Sequence, residues 1–146
     1  MTKIKQLVKD RVGDVWSVSP DTSVFDAIKL MDSKGIGAVV VLRDDELVGI
    51  LSERDYARKV VLKDRSSRST KVKEIMTRRI FHTFAEQSID ECMAVMTEHR
   101  IRHLPVIENS RVIAMVSIGD IVKDIIKEQQ HTIEHLEHCI SWSESY

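Results

Sequence analysis

Cysteine is scarce in this chain: Cys92 and Cys139 are the only two among 146 residues. They cannot build a disulfide framework, and without a CxxC pair they offer neither a zinc knuckle nor a redox couple. An excess of one charge is also missing, because 22 Lys and Arg against 23 Asp and Glu leave a net charge of −1. That excludes a surface that grips nucleic acid as a whole, although a local patch is still open. Aromatic residues are only 5% of the chain and form no base-stacking platform, so no nucleic-acid partner is expected. No wholly apolar run exceeds that of Ala38–Leu42, far short of the ~20 residues needed to span a bilayer. The opening Met1–Gln6 lacks the apolar core of a signal peptide. A cytoplasmic protein without membrane contact is the expectation. A catalytic set is lacking too: the pattern places no histidine base beside Ser52 or Ser117, and Cys92 falls on the apolar side of a helix.

What is present is a repeat. Shifted by 65 residues, the chain registers on itself without a gap over more than forty positions. Val24 meets Ile89, Met31 meets Met96, Val41 meets Val106, Ser52 meets Ser117 and Asp55 meets Asp120. Apolar character persists where identity is lost, so both copies bury the same faces. Two short leading segments, Ile4–Val8 and Val72–Met76, pair instead at an offset of 68. The chain is a tandem duplication of one βαββα unit, of mixed α/β (α+β) class. The expected division is 1–62 for the first unit, 63–71 for a polar linker, 72–127 for the second unit and 128–146 for a helical extension and tail.

Within the first copy, Asp21–Ser23 starts a helix whose apolar positions are Val24, Ala27, Ile28 and Met31. Gly35 and Gly37 end it and lead into the strand Ala38–Leu42. Asp44-Asp45 turns the chain into a second strand, Leu47–Leu51, and Ser52 opens another helix reaching about Val61. In the second copy the matching elements are a helix over Ser88–His99, strands Leu104–Glu108 and Arg111–Val116 about Asn109-Ser110, and a helix from Ile118. Gly35-Ile36-Gly37 is no dinucleotide loop, because it ends a helix and opens a strand. The polar stretch 63–70 is expected to be an exposed tether.

The last helix is predicted to run to Cys139 or Ile140. Val122, Ile125, Ile126, Ile133, Leu136 and Ile140 form an apolar stripe roughly 100° wide, the width of a buried face. A second copy of the chain, or the protein's own sheet, is its expected cover, and a homodimer the expected assembly. His131, His135 and His138 lie on the other side with Cys139 nearby, which leaves a metal- or redox-responsive helix as an alternative, although no metal is expected. Trp142 lies in the polar tail as a second candidate cover for a partner.

The chemically suggestive pattern is Gly49-Ile50-Leu51-Ser52-Glu53-Arg54-Asp55, echoed by Ala114-Met115-Val116-Ser117-Ile118-Gly119-Asp120. Ser-x-x-Asp is a helix capping box. The same atoms suit a nucleotide: a helix N-terminus and a serine favour phosphate, and an aspartate accepts ribose hydroxyls. Between Arg54 and Arg79 there are ten Lys or Arg against three Asp or Glu. Arg54, Arg58 and, in the second copy, Arg102 are placed to approach phosphate oxygens.

Carried by these segments, the chain resembles the CBS domains, modules named after cystathionine β-synthase that occur in pairs as Bateman modules. The carriers are Val18–Val24 with Ala27 and Met31, Gly35–Val41, Leu47–Asp55, Glu74–Thr77, Met96, Arg102–Val106 and Ser117–Asp120. Ser52–Lys59 further resembles small stand-alone bacterial members. The resemblance implies two units packed about a pseudo-two-fold axis, leaving two clefts that take adenosine compounds such as AMP, ADP, ATP, S-adenosylmethionine or NAD. AMP is the foremost candidate and NAD the next. It implies a first site of Val15, Trp16 and Ser17 on the first strand with Ala38, Ser52, Arg54 and Asp55. A second is implied at Ile80, Phe81 and His82 on the matching strand with Arg102, His103, Leu104, Pro105, Ser117 and Asp120. It implies a non-catalytic sensor read by an unidentified effector protein. An interaction scaffold that has lost its ligands is the alternative. Three departures stand out: Ala114 replaces the expected glycine, Ala85 stands where Pro20 stands in the first copy, and Val40 where Pro105 stands in the second. The Ala114 methyl is expected to narrow one cleft, and the arginine in Ser52–Asp55 without counterpart in Ser117–Asp120 predicts unequal clefts.

Overall fold

The structure is a computed structural model that describes residues 2–144, with side chains to residue 141. Trp142 thus lies outside the described side chains. A short helix α1 (Ile4–Val8) and a single 3-10 turn (Lys9–Arg11) precede the first unit. That unit comprises β1 (Ser17–Val18), α2 (Val24–Lys34), β2 (Ala38–Arg43), β3 (Glu46–Ser52) and α3 (Glu53–Tyr56). A π-turn, Ala57–Val61, extends α3. The second unit follows as α4 (Val72–Ile75), β4 (Thr83–Phe84), α5 (Ile89–His99), β5 (His103–Glu108), β6 (Arg111–Ser117) and α6 (Ile118–Glu144).

Each unit holds a three-stranded sheet, ordered β1-β2-β3 and β4-β5-β6, with its first strand parallel and its hairpin antiparallel. The duplication reaches into detail. Both hairpins turn on two residues of positive φ, Asp44-Asp45 and Asn109-Ser110, the geometry that matches strand twist in a two-residue loop. Both carry a register shift at one repeat position, Val41/Leu42 and Val106/Ile107. Ser23 caps α2 by accepting from the Asp26 amide, and Ser88 caps α5 by accepting from the Glu91 amide. Gly35 ends α2 with φ +64°, whereas the same place after α5 is filled by Arg100 at φ +54°. A side chain in that left-handed region costs roughly 1–2 kcal/mol.

The two cores trade their leading helices. Ile4 and Val8 of α1 are fully buried among Ile89, Met96, Leu104 and Val116 of the second unit. Val72 and Ile75 of α4 are buried among Val24, Met31, Val39 and Leu51 of the first. Burial at this level stabilises by about 1.5–3 kcal/mol per side chain, so neither unit is complete without the other's segment. The stretch 63–70 is exposed over most of its length, yet it is docked rather than a free tether. Val24 and Phe25 amides donate to the Thr70 and Ser67 carbonyls, Thr70 is buried, and the Arg68 guanidinium sits 3.9 Å from the Phe25 ring centre.

Two expectations about the ends of elements are corrected. The first strands begin later than the Val15–Ser17 and Ile80–His82 positions implied, because parallel pairing with β2 and β5 starts only at Ser17 and Thr83. The terminal helix runs to Glu144, past Ile140. Its apolar stripe does not cover the protein's own sheet: Ile121 is buried and Ile125 half-buried, while Val122, Ile126, Ile133, Leu136 and Ile140 are 46–59% exposed. No described helix is long and apolar enough to cross a membrane.

Candidate nucleotide site

Both strand-to-helix steps are realised as capping boxes. Ser52 Oγ accepts from the Asp55 amide at 3.2 Å while the Ser52 amide donates to Asp55 Oδ2 at 3.0 Å. Ser117 and Asp120 repeat both bonds at 3.2 and 2.9 Å. The Glu53 and Ile118 amides donate to the Gly37 and Arg102 carbonyls at 3.0 and 2.8 Å, which fixes each helix start against the turn before the neighbouring strand.

Between the units lies a cavity of about 860 Å³ that both copies line. The first copy contributes Ala38, Ser52 and Arg54–Asp55; the second contributes Phe81, Arg102–His103 and Ser117. Of the residues expected at two sites, these eight therefore share one wall system. Val15, Trp16, Ser17, Ile80, His82, Leu104, Pro105 and Asp120 are not in that lining. Trp16 is 45% exposed with Lys34 Nζ 4.2 Å above its ring. His82 meets Phe84 edge-on, and Leu104 and Pro105 are buried in the sheet.

Charge in the cavity is one-sided. Arg54, Arg58, Lys59, Arg79, Arg100 and Arg102 line it against Glu53 and Asp55. Among the described residues only Lys59 of these six forms an ion pair, 3.1 Å from Asp55 Oδ1. Arg54 donates to the Arg100 carbonyl at 3.0 Å, which ties the rim of one copy to the other. Phe81 stacks on His99 with centroids 3.8 Å apart, and the Arg79 guanidinium lies over the Phe81 ring, 5.2 Å from its centre. His103 approaches within 3.4 Å of where a side chain on Gly37 would begin. Burial holds the His103 imidazole below its ordinary value despite Asp120 and Glu53, so at neutral pH it is an uncharged donor and acceptor.

The two aspartates are held differently. Asp55 is engaged at both oxygens, with Ser52 on Oδ2 and with Thr77 Oγ1 (3.0 Å) and Lys59 on Oδ1. A ribose hydroxyl reaching Oδ1 would exchange with Thr77 or Lys59. Asp120 is gripped by the N-terminal segment: Arg11 Nη2 donates to Oδ2 at 2.7 Å and Nη1 to Oδ1 at 3.2 Å. Burial would raise the Asp120 carboxyl, but Arg11 and Ser117 outweigh it and hold it below its ordinary value. The Gly13 amide donates to the Ile113 carbonyl at 2.9 Å, pinning the same segment along β6.

Ala114 does not narrow a cleft. It is fully buried in the second core, and its counterpart Gly49 faces Met76 and the Thr77 carbonyl rather than the cavity. Arg11, Thr77, Arg79, His99 and Arg100 were not anticipated. The signal for Arg100 was its alignment with Gly35, a position that wants glycine. Among the described residues no group of three or more His, Cys, Asp or Glu converges to hold a metal, the histidines of α6 included.

Known proteins share this architecture. The CBS domain family matches residues 5–62 and again 72–127. A structure described as a putative signal-transduction protein with CBS domains from Burkholderia ambifaria is 50% identical, superposes with a TM-score of 0.85 and aligns over 88% of this chain and 96% of its own. The Arabidopsis thaliana CBS domain-containing protein CBSX3, mitochondrial, is 42% identical over 127 residues, 84% of this chain, which spans 61% of that relative's length. The CBS domain pair of protein MJ0100, solved with 5′-methylthioadenosine and S-adenosyl-L-methionine, is 22% identical with a TM-score of 0.75, covering 85% of this chain and 99% of its own.

Proposed function

The chain belongs to the CBS domain family as a tandem pair, and on that premise we propose that it is a non-catalytic sensor of adenine nucleotides. The observation that carries this is the shared cavity, in which Ser52 and Ser117 stand with six cationic side chains against two carboxylates. Unpaired guanidinium groups favour phosphate oxygens, which they bind through two parallel hydrogen bonds. The Phe81–His99 pair and the uncharged His103 suit an adenine, one by stacking and the other by hydrogen bonding. The adenosine compounds bound by the MJ0100 pair support the purine half of this assignment. The charge selects within that class: a phosphate-bearing nucleotide, with AMP, ADP or ATP ahead of NAD, and the sulfonium S-adenosylmethionine last. A ligand bridging both copies would change the angle between the units, and an effector protein would read that change.

A thermal-shift panel tests the proposal. Ligand that binds only the folded state adds about 2.7 kcal/mol at one hundred times its Kd. AMP, ADP or ATP should raise the midpoint in a concentration-dependent way, and S-adenosylmethionine should not. No shift with any of them at millimolar concentration would favour the scaffold instead.

A further inference from the structure

We infer that α6 is one strand of an antiparallel two-stranded coiled coil made with a second copy of this chain. From residue 126 to 141 every described side chain of this helix is exposed, although the Thr2 hydroxyl still donates to the Glu128 carboxylate. Its apolar residues there fit the stripe of an amphipathic helix, but none of them lies on a core. Ile126, Ile133 and Ile140 repeat every seven residues, and Val122 and Leu136 fall three residues after heptad starts, with Gln129 between them. That is an a/d seam with period 3.5, the pattern that supercoils two helices. All five apolar members of the seam are 46–59% exposed.

Charge selects the occupant and its direction. Along the edge of the seam formed by the e and b positions, the first half carries Lys123 and Lys127 and the second half Glu134 and Glu137. An antiparallel copy lays the basic half of this edge on the acidic half of the same edge in the other helix. With Ile126 opposite Leu136, Ile133 meets Gln129 and Ile140 meets Val122, and the register sets Lys123 against Glu137 twice. Thr132 meets its own counterpart on the opposite edge. A parallel pair gains no such contact: it faces e positions with g positions, and these are Ile125, Thr132 and Cys139. His131 and His138 lie at f and His135 at c, away from the seam. The paired length from Val122 to Ile140 is about 27 Å at 1.5 Å per residue, and a partner helix of the same sequence is the one surface certain to match it in heptad phase.

Sedimentation equilibrium on the full chain, without ligand, tests this. The expected mass is twice 16.8 kDa. Ile133→Asp with Leu136→Asp should raise the dimer Kd at least 100-fold while leaving the near-ultraviolet dichroism of the body unchanged, since both side chains are exposed. Lys123→Glu and Glu137→Lys should each weaken the dimer several-fold, and the two together should restore it. A mass of one chain, or of more than two, would overturn the inference. So would a dimer that survives the double aspartate variant, or charge reversals that have no effect or fail to compensate each other.

Discussion

Removing Arg11 should free Asp120 to serve a ligand beside Ser117. The guanidinium holds both oxygens of Asp120, at 2.7 and 3.2 Å, in the position where the repeat places the partner of Ser117. Charge-assisted hydrogen bonds of this kind contribute about 1.5–3 kcal/mol. Here the arginine side chain is 36% exposed and the aspartate 23%, and solvent screening brings the pair down to about 1–2 kcal/mol. A nucleotide using Asp120 must first break that pair, so its affinity at the Ser117–Asp120 step is lowered roughly 5–30-fold. Titration calorimetry with AMP should therefore find one strong site per chain in the wild type and two in Arg11→Ala. Arg11→Lys should fall between them, because an ammonium keeps the charge and loses the fork. Two equal sites in the wild type, or an unchanged stoichiometry in Arg11→Ala, would refute the latch.

Gly49→Ala should lower stability by about 1–3 kcal/mol, the cost of overpacking, because its methyl would lie 2.5 Å from Met76 Sδ and 3.2 Å from the Thr77 carbonyl; a denaturant midpoint measures it. Arg100→Gly should stabilise the fold by about 1 kcal/mol by relieving a left-handed side chain, and weaken nucleotide binding in the same protein by removing a cavity cation. Acid should act in two windows. His103 has a lowered folded-state value, so the unfolded chain takes its proton first and stability falls as pH drops below 6.5, a loss that His103→Gln should remove from a series of melts. Asp120 is also lowered, so its contribution is present at neutral pH and disappears as pH falls below the ordinary aspartate range, more weakly in Arg11→Ala.

The duplicated elements were legible because they rest on local chemistry. Serine caps at Ser23 and Ser88, paired turn residues and continuous apolar strands each announce themselves within a few residues. The family resemblance added the cleft and its serines. What escaped the sequence was long-range. Arg11 reaches Asp120 across 109 positions and Thr77 reaches Asp55 across 22, both through leading segments that pack on the other copy's core. No periodicity encodes that exchange. The stripe on α6 was visible, but its width suggested a buried face, and only its exposure separates a coiled-coil seam from a core helix.

The central claim is that the cavity between the copies holds a nucleotide phosphate. Equilibrium binding of AMP to the full chain, compared with Arg102→Glu, tests it most directly. Arg102 is exposed at the cavity rim and forms no ion pair among the described residues, so its reversal should leave the fold intact. The account predicts saturable binding by the wild type and at least a tenfold loss in the variant, a difference of about 1.4 kcal/mol. Saturable binding that is unchanged in Arg102→Glu would contradict it.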